Sequence, residues 1–146
     1  MKLLIDTDPG VDDALAILMA YQGADVVGLT IAAGNVGLGH TVANALRLVD
    51  LVGADTPVFP GCAGPLVLPE VDAAFVHGAD GFGDTGYTRS ARQPSAEHAA
   101  LAMIRLTISF IPAPPMIHIS SVRPACSMAS MTPRAMSSSA AQTASI

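Results

Sequence analysis

The first 60 residues alternate between short apolar runs and longer segments of helical apolar period, an order of elements that few folds accommodate. Residues 2–5 read as a short buried strand. Residues 12–22 read as a helix apolar on nearly every side (Ala14, Leu15, Ala16, Ile17, Leu18, Met19), hence deeply packed. Residues 26–32 read as a second strand. Residues 41–52 follow as an amphipathic helix, because Val42, Leu46, Val49 and Val52 fall on one face while Asn44, Arg47 and Asp50 fall on another. A short strand around Val58 completes the series. Strand, helix, strand, helix, strand argues for right-handed βαβ units. The expected class is α/β, an open, mostly parallel, Rossmann-like sheet with flanking helices. A glycine-rich loop over residues 77–87 comes next, then a helix over 95–105 with Ser95 as its N-cap.

This pattern stops abruptly. All 13 glycines lie between Gly10 and Gly86, and all 12 acidic residues lie between Asp6 and Glu97. From Leu106 onward there are nine serines and five prolines, whereas residues 1–105 hold two serines, Ser90 and Ser95. Segments such as 112–115 and 137–141 show neither a 3.6 nor a 2.0 apolar period. The chain is therefore divided at residue 105 into an α/β region, 1–105, and an irregular low-complexity Ser/Pro/Met tail, 106–146. An evolved linker usually keeps Gly and Glu for flexibility and solubility, and this tail keeps apolar Met, Ile and Phe instead. A stretch translated out of frame or joined by rearrangement accounts for that better than an ordinary linker.

Composition excludes several classes of function. A hydrophobic content of 51% against 13% charged residues is not that of a disordered polyampholyte. The formal net charge of -5 offers no basic surface for a nucleic-acid backbone. Two cysteines, Cys62 and Cys126, make no disulfide framework and no CxxC pair. Three apolar residues before Asp6 cannot form the ~7–15-residue apolar region of a signal peptide, and no run approaches the roughly 20 residues of a membrane span. A cytoplasmic protein acting on small molecules, without nucleic-acid or membrane partners, is the expectation; a homo-oligomer stays open.

The chemistry concentrates at the first strand-to-helix junction, where Asp6, Asp8, Asp12 and Asp13 surround Pro9-Gly10. In open parallel sheets ligands bind beyond the carboxyl ends of the strands. Pro9 fixes φ while Gly10 tolerates positive φ, a combination that folds Asp8 back toward Asp12 and Asp13 and makes the four acids converge. Helix capping explains one or two of these acids. Four carboxylates in a partly dry loop resist ionising together unless a cation sits among them. Hard oxygen donors without His or Cys favour Ca²⁺ or Mg²⁺ over zinc.

The string from Asp6 to Ala14 (DTDPGVDDA), with Thr30-Ile31-Ala32-Ala33-Gly34-Asn35 and His77-Gly78-Ala79-Asp80-Gly81, resembles the inosine/uridine-preferring nucleoside hydrolases. The three motifs stand in the family's order and spacing and cover about residues 1–105. The resemblance implies hydrolysis of the N-glycosidic bond of ribonucleosides by a Ca²⁺-activated water. It implies that Asp8 binds Ca²⁺ and serves as general base, that Asp13 is a second ligand, and that Asp12 holds a ribose hydroxyl. Asp6 then supports the cluster, Asn35 contacts the ribose diol, and His77 lies on the base side of the pocket. Taken alone, Asn35 is an ordinary turn residue after Gly34 and His77 an ordinary loop histidine. His40, His98 and His118 match nothing. Asp80 and Asp84 lack the spacing of an EF-hand, which favours a mobile loop over a second Ca²⁺ site.

The family domain is longer than this chain, so the resemblance implies a truncated member whose remaining ligands, a threonine and an aspartate, lie elsewhere. Half a parallel sheet leaves an unpaired edge and an apolar face, which favour aggregation. Two other readings stand beside the hydrolase. One is a haloacid-dehalogenase-like phosphatase with Asp6 as nucleophile and Asp8 as acid/base, against which Pro9-Gly10 and the Asp12-Asp13 pair count. The other is a non-catalytic remnant that binds Ca²⁺ or ribosides.

Overall fold

The computed structural model describes residues 1–67, 69 and 71–110. In chain order the elements are β1 (Lys2–Thr7), α1 (Val11–Gly23), β2 (Asp25–Ile31), α2 (Leu38–Val52), β3 (Val58–Pro60), α3 (Ala74–His77) and α4 (Ala99–Phe110). The three strands form one parallel sheet in the order β1-β2-β3. This is the α/β architecture expected from the alternation of elements, with β2 central because its neighbours in sequence flank it on both sides.

The register of β1 on β2 is broken once. Leu3 pairs with Val26 and Leu4 with Gly28, so Val27 is one residue too many on β2. A bulge of this kind reverses the side-chain parity of a strand. It explains why Val26, Leu29 and Ile31 share one face, where they pack with Ala45, Leu46 and Val49 of α2 and with Val58. Burying a residue such as Leu29 or Val49 stabilises the fold by about 1.5–3 kcal/mol. On the opposite face Phe59 packs against Ala99 and Ala102 of α4, with Leu106 beside them. Gly28 faces that layer. A Cβ there would stand 3.1 Å from both Leu4 Cδ1 and Phe59 Cε2 and 3.2 Å from Leu106 Cδ1, so glycine is what lets α4 lie flat on the sheet.

Several expectations are corrected. Helix α1 is not deeply packed: Ile17 is its buried residue, whereas Leu15 and Met19 are 63% and 75% exposed. Its apolar periphery exceeds what one sheet face and one neighbouring helix cover among the described residues. Helix α2 begins at Leu38, and Asn44, expected on its polar face, is buried. Ser95 does not cap α4. Its hydroxyl accepts the Glu97 N–H in a turn, and the helix starts at Ala99 after His98, whose Nδ1 accepts the Ala100 N–H at 3.2 Å. His77, placed by the sequence in a loop, closes the short helix α3. Helix α4 passes the boundary expected at residue 105 and runs to Phe110, while residues 111–146 of the expected irregular tail lie outside the described residues. No described helix is long and apolar enough to cross a membrane.

Candidate functional site

Three segments meet beyond the carboxyl ends of β1 and β2: the turn from Asp8 to Gly10, the loop from Ala32 to Gly37, and α3 with the glycine loop after it. Pro9 is fully buried, which fixes the turn from inside. Gly10 precedes α1, and its N–H donates to Asp13 Oδ2 at 3.2 Å. Asp13 thus caps the helix, as the plain reading of an acid in a first turn requires. It does more than that, because Thr7 Oγ1 donates to its Oδ1 at 3.2 Å and Asn35 Nδ2 to its Oδ2 at 2.9 Å.

Asn35 is the hub. Its backbone N–H donates to Asp8 Oδ2 at 2.7 Å, and its Nδ2 also donates to the Asp8 carbonyl at 2.9 Å. One residue therefore clamps both carboxylates, with the two amide protons spent on Asp8 and Asp13 and its Oδ1 left to accept. The close approach is possible because residue 34 is glycine: a Cβ at Gly34 would sit 2.2 Å from Asp8 Oδ2. Hydrogen bonds of this kind orient carboxylates that then present their remaining lone pairs outward.

The other two acids do not join this pair. Asp12 projects into solvent, its side chain 85% exposed, with Oδ1 3.8 Å from His77 Nδ1. His77 is mostly buried, and its Nδ1 also receives the Val11 N–H at 3.5 Å. A Cβ on Gly10 would stand 2.8 Å from both His77 Nδ1 and Asn35 Nδ2, so the turn, the hub and the histidine are in direct contact. Asp6 turns away and accepts from buried Thr30 Oγ1 at 2.8 Å. It lines a cleft of about 420 Å³ together with Gly34, Gly61, Cys62, His98 and Met103. The four acids thus resolve into a joined pair, Asp8 and Asp13, a solvent-facing Asp12 next to His77, and a separate Asp6.

Asp80 and Asp84 are consumed by the loop itself. Asp80 Oδ1 accepts the N–H groups of Phe82 at 2.7 Å and Asp84 at 2.9 Å, and Asp84 Oδ1 accepts the Asp80 N–H at 3.2 Å. Partial desolvation pushes the Asp80 carboxyl up, but those N–H donors and the nearby His40 outweigh it and hold the group below the ordinary carboxylate range. Among the described residues no three His, Cys, Asp or Glu side chains group to hold a metal ion. What the site offers a hard cation is the carboxylate pair Asp8 and Asp13.

Sequence reading passed over Thr7, Thr30, Gly34 as a steric necessity, and Asn44. Asn44 Nδ2 donates to the Pro9 carbonyl at 3.1 Å and to the Asp80 carbonyl at 2.9 Å. Thr7, Thr30 and Gly34 stood within the quoted motifs and carried a signal; Asn44 sits in a helix interior, where a polar residue looks like an outward-facing one.

The sequence pattern of the inosine-uridine preferring nucleoside hydrolases matches residues 3–135. Uridine nucleosidase 1 of Arabidopsis thaliana is 45% identical over 104 residues, which are 68% of this chain and 31% of the plant protein. The non-specific ribonucleoside hydrolase RihC of Salmonella agona (strain SL483) is 41% identical over 105 residues, 70% of this chain and 34% of the relative. Among solved structures, the plant nucleoside hydrolase PpNRh1 superposes with a TM-score of 0.70 at 43% identity, covering 75% of this chain and 36% of the other. An inosine-guanosine nucleoside hydrolase superposes with a TM-score of 0.69 at 39% identity, covering 77% of this chain and 36% of the other. The chain spans about a third of the length of these relatives.

Proposed function

The chain belongs to the inosine-uridine preferring nucleoside hydrolase family, and from that premise we propose that its site serves the hydrolysis of the N-glycosidic bond of a ribonucleoside to ribose and free base. The observation that carries the proposal is the clamp of Asn35 on Asp8 and Asp13, which holds two carboxylates side by side at the carboxyl end of the sheet. Membership of this family leaves the phosphatase alternative without support.

Asp8 and Asp13 are the residues that would hold a Ca²⁺ ion, and their hard oxygens fit it as part of a shell of 6–8 donors. Such an ion would supply Lewis acidity there, orienting the ribose hydroxyls and lowering the pKa of the attacking water. Asp8 is the general base. With Oδ2 engaged by the Asn35 N–H, Oδ1 is the oxygen assigned to take the proton of the water that attacks the anomeric carbon. The C–O bond forms as the C–N bond breaks through an oxocarbenium-like state, and the bonding pair leaves with the base nitrogen, which takes its proton from solvent water. Asn35 has no amide proton to spare, so its Oδ1 is the atom that accepts from the ribose diol. Asp12 accepts a second hydroxyl, His77 lines the base side, and Asp6 acts at a distance through Thr30 and β2.

The division at residue 105 belongs to the same reading. Pairwise likeness over about 104 residues supports it, while the family pattern reaches residue 135 and weighs the other way. Translating the other frames of the coding DNA beyond codon 105 tests the out-of-frame origin: family-like sequence in a second frame is expected, and its absence would exclude a simple frameshift.

The enzymatic reading is tested by ribose release from a panel of purine and pyrimidine nucleosides, with Ca²⁺ and then with chelator. Release that stops with chelator and falls at least about 100-fold in Asp8→Ala is expected. Release indifferent to both would sink the proposal.

A further inference from the structure

We propose that Asn44 is a positioning residue that fixes the His77-bearing segment against the Asp8–Gly10 turn; the inference rests on the hydrolase reading, in which Asp8 and His77 face one ribonucleoside. Asn44 is 8% exposed and belongs to α2, outside the segments that carry the acid pair. Its two amide protons go to two backbone carbonyls far apart in sequence. One is Pro9, at the centre of the acidic turn, at 3.1 Å; the other is Asp80, in the glycine loop, at 2.9 Å.

The segment from His77 to Gly81 is pinned at both ends. At one end His77 Nδ1 lies against Gly10, where any Cβ would stand 2.8 Å from it. At the other, Gly81 has φ +80° and would bring a Cβ within 2.9 Å of both Asn44 Nδ2 and Val36 Cγ2. Glycine at 81 therefore serves two needs at once, a left-handed backbone and room for the Asn44 amide. Between this segment and the acidic turn, the side-chain bond from Val11 N–H to His77 Nδ1 is long at 3.5 Å, whereas the Asn44 bonds are of normal length. His77 is held within its own segment by the Gly83 N–H on its carbonyl at 2.7 Å, and Asn44, through the Asp80 carbonyl, ties that segment as a unit to the acidic turn. The same amide holds the Pro9 carbonyl, and so ties the peptide that follows Asp8 to the same anchor.

Removing the donor leaves the buried Pro9 carbonyl and the half-buried Asp80 carbonyl facing an apolar or acceptor group, which unfastens the loop locally and leaves the sheet intact. The test uses Asn44→Leu, of similar volume without donors, and Asn44→Asp, of the same shape with acceptors only, in the full chain. Amide hydrogen exchange is followed at Gly78 and Gly83, whose N–H groups bond within the loop, and at Leu29 and Ala32, whose N–H groups bond within the sheet. Both variants are expected to speed exchange in the loop by about tenfold while the sheet stays within about twofold. In an active wild type, kcat/KM for ribose release is expected to fall by about tenfold alongside. Unchanged exchange would overturn the proposal, and so would an equal rise in loop and sheet, the signature of a packing residue. A loosened loop with kcat/KM intact would overturn it as well. A wild type that releases no ribose would remove the hydrolase reading, while the exchange pattern would still decide whether Asn44 fastens the loop.

Discussion

Asp13 carries two demands on the same lone pairs. Its oxygens accept from Thr7, Gly10 and Asn35, which start α1 and secure the clamp, and they are also the ones proposed to face a cation. Asp8 is less committed, with Oδ2 receiving the Asn35 N–H. Removal of either should weaken Ca²⁺ binding in a calorimetric titration by at least about tenfold. Only Asp13→Ala should also lower stability through the lost cap, by about 0.5–2 kcal/mol. His77→Ala, outside the proposed ligand pair, should leave Ca²⁺ affinity within about twofold. Equal losses from all three would contradict the assignment. Gly34 offers a sharper probe, because the atom added by Gly34→Ala arrives 2.2 Å from Asp8 Oδ2. Either the carboxylate swings away or the backbone shifts, at about 1–3 kcal/mol. Gly34→Ala is therefore expected to mimic Asp8→Ala in the same titration although no acid has been touched, and a wild-type affinity would show that the loop yields freely.

At the scale of elements, the site exists because β1 and β2 end level with each other and helices are held off both faces of the sheet. Gly28 sets one of those separations. Gly28→Ala asks two leucine ends and the ring edge of Phe59 to retreat by a few tenths of an ångström, a modest cost. Gly28→Val adds two further carbons into Phe59 and Leu106 and should lift α4 from the sheet, destabilising the fold by about 1–3 kcal/mol. The chain has no tryptophan, so far-ultraviolet circular dichroism in urea is the measurement. A lower midpoint at unchanged slope is expected for Gly28→Val, ordered below Gly28→Ala and wild type; equal midpoints would mean that α4 does not rest on Gly28. The three strands and helices α1, α2 and α4 were legible in the sequence, since they follow from local apolar period and turn residues, while the single turn of α3 was not. The bulge at Val27 was not, because parity is decided by pairing with β1. Asn44 was misread for a related reason: a helical period assigns faces by polarity, and a polar residue buried to hold two carbonyls looks outward-facing until its partners are folded onto it. The pairing of Asp8 with Asp13 was legible in the Pro9-Gly10 turn, but without the Asn35 hydrogen bonds that secure it. That Asp6 and Asp12 stand apart from it was not, because turn geometry, and not sequence distance, decides which way a carboxylate points.

For the described molecule as a whole, the imbalance lies between apolar surface and what covers it. Leu66 and Val67 are more than 90% exposed, Phe75 is 89%, Val71 is 83% and Val76 is 65%. Leu101, Ile104 and Ile108 on α4 are each about 60% exposed, beside Leu15 and Met19 on α1. Single exposed apolar residues need no explanation, but a segment running from Leu66 to Val76 with so many of them exceeds what a monomeric surface ordinarily shows. Beta-strand edges add to this. β1 pairs on one side alone among the described residues, and its sequence, Lys-Leu-Leu-Ile-Asp-Thr, is blunted by charge only at Lys2 and Asp6. The -5 net charge opposes association through long-range repulsion, which salt screens within about 8–10 Å, whereas apolar burial is not screened. The two contributions therefore separate experimentally. Sedimentation velocity on the full chain should show self-association at concentrations on the order of micromolar to tens of micromolar, growing stronger as salt is raised. Replacing Leu66, Val67 and Phe75 with serine should shift that association to higher protein concentration without changing the circular dichroism. A chain monomeric at all salt concentrations would mean that this apolar surface is satisfied within the molecule itself, and association that weakens with salt would assign it to charge instead.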